Sequence, residues 1–194
     1  MKKKNFWVGC IIVLSMIVSS NLKAQSSVNE KESARVFVQK FYDWYVVLFS
    51  APPEKWRTHA TSIIAITQKS SSFDTALRKA LLDDDHAQSK NTDDIVGLDF
   101  DPFLMAQDIG FDYQTGNVKQ VGDKFFVDIH SALKGKSKKA ILAKNIVVVA
   151  EVVKAGTSWK FTNFIYPAEG KQKQSDLLEI LASLRKDREN PNSK

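Results

Sequence analysis

The apolar residues of this chain change period partway along, and that change limits the fold more than any single motif does. In the N-terminal half they recur at helical spacing. Phe37, Phe41, Trp44, Tyr45 and Leu48 stand at i, i+4, i+7, i+8 and i+11, with Arg35, Gln39 and Asp43 elsewhere on the wheel. That predicts an amphipathic helix with an aromatic face, stopped by Pro52 and Pro53. Ser72 is placed to cap a further helix, with Asp74 in its first turn and Phe73, Leu77, Ala80 and Leu81 on one side, ending in the acids Asp83 to Asp85. In the C-terminal half the period is two. Val118 to Val121, the turn pair Gly122-Asp123, and Phe125, Val127 and Ile129 alternating with Asp128 and His130 make a hairpin. Asn145 to Lys154 reads as a third strand whose Ile146 to Ala150 run suggests burial on both faces, and Trp159 to Tyr166 as a fourth. Ser175 then caps a last helix carrying Leu177, Leu181 and Leu184. Helices first and consecutive strands second predict an α+β fold, with N-terminal helices on an antiparallel sheet and one C-terminal helix.

The first 24 residues predict an address. Lys2 to Lys4 form a positive region, Phe6 to Val18 an apolar run, and Ser19 to Ala24 a polar stretch ending on a small residue, the layout of a secretory signal peptide cleaved near Ala24. The alternative, a retained anchor, needs about 20 apolar residues, and this run is shorter and broken by Ser15. Cys10 has only Phe6 to Gly9 of the apolar run before it, so it reads as a passive residue of the leader and not as an acylated N-terminus. As the only cysteine, it leaves an exported chain without disulfides, thiolate metal sites or a cysteine nucleophile. The expected layout is a signal peptide over 1–24, a flexible lead-in over 25–32, one α+β domain over 33–187 and a polar tail over 188–194. The exported chain would be periplasmic or secreted, with no stable membrane anchor. A domain of this size buries roughly 70% of its unfolded surface and needs no staples.

Charge narrows the partners. Lys and Arg total 28 against 22 Asp and Glu, a formal +6. Four of the lysines (Lys2, Lys3, Lys4 and Lys23) lie in the leader, which holds no acid, so the remainder carries 24 against 22. That removes the main argument for nucleic acid.

The motifs are weaker than the pattern. Lys134-Gly135-Lys136-Ser137 resembles the end of a phosphate-binding loop, but His130 stands where the first glycine is required, and the stretch lies between two strands. With Lys138 and Lys139 it makes a cationic hairpin tip, read either as a solvated turn or as a docking site for an anionic partner or membrane surface. Asp83 to Asp85, Asp93, Asp94, Asp99 and Asp101 lack the register of a calcium loop. Asp99 and Asp101 read instead as holding an ordered loop, Gly97 to Phe103, through backbone amides. His59, His86 and His130 stand apart, each with a surface placement expected. No catalytic set, metal or cofactor is expected.

Phe37 to Tyr45 (FVQKFYDWY), followed by Gly97 to Leu104 (GLDFDPFL) with Gln107 and Asp108, resembles the domain of unknown function 3828 family, small exported bacterial proteins and lipoproteins of the YbjP type. The resemblance runs from about Ala34 to Tyr166. It implies an α+β fold similar to the cone-like nuclear-transport-factor-2 architecture, with helices closing over a curved sheet, and carries no catalytic residues. Two functions remain in view. One is a non-catalytic protein-binding module, for an envelope partner or for a secreted toxin that it neutralises as an immunity protein. The other is a small-ligand binder or hydrolase using the interior of the cone. The candidate contact residues are Lys134, Lys136, Lys138, Lys139, Asp99 and Asp101.

Overall fold

Why the first helix holds together is visible in what its faces touch. The computed structural model describes residues 7–50, 60–91, 93–106, 110–168 and 173–190, with side chains from residue 28 onward. Helix α1 spans Trp7–Phe49, across the expected processing position near Ala24, so an exported form would begin within it. The segment expected to be a flexible lead-in, 25–32, is helical. Two ion pairs support that stretch: Arg35 Nη2 meets Glu32 Oε1 at 2.5 Å, and Lys154 Nζ reaches Glu30 Oε1 at 2.7 Å. One turn on, Trp159 donates its indole N–H to Ser33 at 3.0 Å. The inward face is turned by one residue from the expected stripe. Ala34, Val38, Phe41, Tyr42 and Tyr45 are buried, while Phe37, Trp44 and Leu48 flank them half-buried. Pro52 and Pro53 lie outside the described residues.

Helix α2 (Thr61–Gln68) buries Ile63, Ala65 and Ile66, and a single 3-10 turn, Ser70–Ser72, follows. Helix α3 (Thr75–Ser89) is capped by Asp74, not Ser72, whose place is inside that turn. The carboxylate of Asp74 accepts from Ala76 N at 2.8 Å while its own N–H donates to Phe161 O, so the cap is pinned to the sheet. The acidic run does not end the helix. Asp83 pairs with Lys79 one turn back, Asp84 turns inward to Arg188, and the helix continues to Ser89.

Strands β1 (Phe111–Val121), β2 (Lys124–Leu133), β3 (Ile146–Ala155), β4 (Ser158–Tyr166) and β5 (Ser175–Asp176) form one sheet in chain order, antiparallel throughout. Gly122 and Gly156 open the two-residue hairpin turns at φ of +63° and +64°, where a side chain would be strained. β1 starts seven residues earlier than its apolar pattern suggests. Asp112, Gln114 and Gly116 hide the alternation, while Tyr113 and Thr115 are buried behind them. The apolar residues of β3 are enclosed on one face only: Val148, Ala150 and Val152 are buried, whereas Val147 and Val149, which alternate with them, are half-buried, and the enclosed residue on their side is the charged Glu151.

The lysine stretch is no hairpin tip. After Lys134 and Gly135, Ser137 accepts from Ala140 N and starts a short helix, α4 (Lys138–Leu142), which Ile141 anchors by burial. Helix α5 (Leu177–Glu189) is capped by Asp176, not Ser175: the Asp176 carboxylate accepts from Glu179 N at 3.0 Å. Residues 188 and 189, expected in a polar tail, belong to α5. Arg188 donates to Asp84 Oδ1 at 2.6 Å and to Val96 O at 2.8 Å. Residues 191–194 lie outside the described residues. Among the described residues no helix is long and apolar enough to cross a membrane.

Candidate functional site

Phe41, Phe73, Phe103, Phe161 and Phe164 occupy the space between the helices and the sheet. Phe41 lies 4.8 Å from Phe161 and 5.5 Å from both Phe73 and Phe103, centroid to centroid, and Phe103 lies 4.8 Å from Phe164. Rings at these separations are in contact, so the centre is filled.

The chain has four tyrosines, and all four donate their hydroxyls to one short loop. Tyr42 reaches Phe103 O at 2.6 Å, Tyr113 reaches Leu104 O at 3.2 Å, Tyr166 reaches Pro102 O at 2.9 Å, and Tyr45 bonds the Asp101 carboxylate. Asp101 also accepts from Phe103 N and Leu104 N, each at 3.0 Å. Burial raises its carboxyl to about 6, against the pull of these donors, which favour the charged form. The same burial raises Tyr42 and Tyr45 well above the usual phenol range, so both remain donors. Asp101 therefore holds backbone amides, as expected of it, and faces the interior instead of a partner. Asp99 lies in the same loop, two residues away.

The lysines do converge on an opening. A surface groove of about 690 Å³ runs beside the outer edge of β1. Tyr42, Asp43, Val46 and Val47 of α1, with Ser50 just past its end, form one wall, Lys134, Lys136, Lys138 and Ile141 the other, and Asp112 to Gln114 the floor. Lys134 Nζ donates to Ser50 Oγ at 3.3 Å, across the mouth. Asp112 accepts from Gly135 N at 2.9 Å, which draws the lysine segment onto β1. Lys139 is exposed on α4 outside the groove lining. The two candidate sets, lysines and loop aspartates, are thus separate.

Gln39 closes part of the strand edge. Its amide accepts from Thr115 N at 2.8 Å and donates to Tyr113 O at 3.2 Å, the two bonds a neighbouring strand would make. Arg35 donates to Thr115 Oγ1 from the turn before. The i, i+4, i+8 spacing of Arg35, Gln39 and Asp43 marks them as one stripe, but nothing in it names the strand they face. His130, expected on the surface, is half-buried. Its Nδ1 lies 2.7 Å from Lys144 O, and its ring fills the room a side chain at Gly116 would need, 2.6 Å from where that Cβ would stand. His86 is exposed, and His59 lies outside the described residues. Among the described residues no group of acidic, histidine or cysteine side chains is arranged to hold a metal ion.

No family model matches the chain, and no curated protein or solved structure is detectably similar to it.

Proposed function

We propose that the chain is an exported, non-catalytic protein-binding module of the family it resembles, whose partner is a protein of the cell envelope or a secreted toxin that it neutralises. The observation that carries this reading is where the room lies. The interior is occupied by Phe41, Phe73, Phe103, Phe161 and Phe164, whereas an opening of about 690 Å³ lies at the surface, with three lysines on one wall. A small-ligand site or a hydrolase in the interior would need polar groups converging on a cavity. The buried hydroxyls here donate into loop carbonyls and a loop carboxylate instead.

The test is in-cell crosslinking of the tagged, exported chain, with mass spectrometry of what it captures, alongside Lys136→Glu/Lys138→Glu. The expected result is one dominant protein, captured by the natural chain and lost with the double variant. A folded, exported chain that captures nothing specific would overturn the reading and favour ligand screening.

A further inference from the structure

We infer that the groove beside β1 takes an extended peptide segment of the partner in which acidic and apolar residues alternate. This rests on the binding-module reading and adds the chemistry of the partner.

Shape comes first. A recess with walls on both sides admits a narrow chain, whereas a lipid surface is met by side chains that protrude. At about 690 Å³ the groove is of the size that ligand sites commonly have. The two walls then differ in character. On the α1 side Val46 and Val47 face the opening, and Val47 remains 72% exposed, an apolar surface with no cover among the described residues. On the other side stand Lys134, Lys136 and Lys138. Among the described residues no ion pair engages these three, and Lys138 contributes only a field that helps hold the Glu32 carboxyl low. The two acids of the groove are partly engaged already: Asp43 accepts from Gln39 at 2.8 Å and Asp112 from Gly135 N. The lining thus carries three lysines against these two carboxylates, a net positive charge, beside the apolar surface of Val46 and Val47.

Successive side chains of an extended peptide point to opposite sides. A chain lying along the groove therefore presents one set to the lysines and the alternate set to Val46 and Val47, which selects acid on the first and an apolar group on the second. Main-chain pairing with β1 is not the means of recognition at the centre of the groove. Gln39 already holds Tyr113 O and Thr115 N there.

The test is selection of short random peptides from a display library on the full folded chain, in parallel with Lys136→Glu/Lys138→Glu. Expected are peptides alternating acidic and apolar residues. A synthetic copy of the best should weaken by at least about tenfold in the double variant, in Val47→Asp, and on raising the salt. Lys119→Glu, outside the groove lining, should leave binding unchanged. Unchanged melting temperatures keep the variants interpretable. Selection of basic or purely apolar peptides, equal enrichment on the double variant, or no enrichment would overturn the inference. So would lysine-dependent binding to phosphatidylglycerol vesicles without peptide binding, which would assign the groove to a membrane. A partner crosslinked outside the groove would sink this inference and leave the module reading standing. Selected peptides with no cellular capture would sink the module reading alone.

Discussion

At the scale of single residues, Asp101 has the largest measurable consequence. Its carboxyl titrates near 6 in the folded chain, above the ordinary 3.8, because burial penalises the charge more than three hydrogen bonds relieve it. A raised folded-state value means the neutral form is favoured by folding, so its stabilising contribution is complete below about pH 4 and is lost as pH rises through 6. Melting between pH 5 and 8 should therefore show stability falling with pH, by an amount on the order of 2 kcal/mol. Asp101→Asn should flatten that dependence, since its carbonyl can keep both backbone amides and its amide can face Tyr45. A pH profile equally steep in the variant would show that Asp101 is not the group responsible. The Phe103 ring packs among Phe41, Tyr45, Phe73 and Phe164. Phe103→Ala should cost about 3–5 kcal/mol by leaving a cavity among Phe41, Tyr45, Phe73 and Phe164. The apolar and acidic character of Gly97 to Phe103 already marks an ordered loop in the sequence. That every tyrosine points into it is not legible, because the four hydroxyls come from α1, β1 and β4.

Between elements, two contacts join segments that are far apart in the chain. Arg188 looks like the start of a charged tail until α5 is laid beside α3, where it meets the buried Asp84 and the Val96 carbonyl. Removing one partner of an enclosed pair leaves a charge unmatched, so Arg188→Ala should destabilise by about 3 kcal/mol in thermal melts. Asp84 also accepts from Leu98 N, and Gly97 lies so close that an added Cβ would stand 2.9 Å from its carboxylate. The same grip thus orders the loop. At the other edge, Gln39 stands in for a missing strand. Gln39→Ala should free Tyr113 O and Thr115 N, cost about 1–2 kcal/mol, and promote concentration-dependent self-association in sedimentation. A monomer at every concentration would show that the bulge between Thr115 and Val118, with Lys119, protects the edge unaided.

On the scale of the whole molecule, the groove and the core divide the work. A closed aromatic centre gives the fold its stability, and substitutions in the lysine wall should leave that untouched. Lys136→Glu with Lys138→Glu should lower affinity for an anionic partner in a salt-dependent way while the melting temperature stays constant. A fall in melting temperature would instead assign these lysines to folding. The sequence by itself determined the fold class, the aromatic first helix, the last helix, the Gly122 hairpin turn and the ordered loop, because each rests on local periodicity or on turn chemistry within a few residues, whereas α2, α4 and β5 left no such signal. It also marked the lysines as a cluster. Only the tertiary structure decided which wall they face, that Asp99 and Asp101 lie apart from them, and that Gln39 occupies the strand edge. Those depend on contacts between residues far apart in the chain, such as Gln39 with Tyr113 and Thr115, 74 and 76 positions away, and no periodicity in one segment encodes which distant surface it will meet.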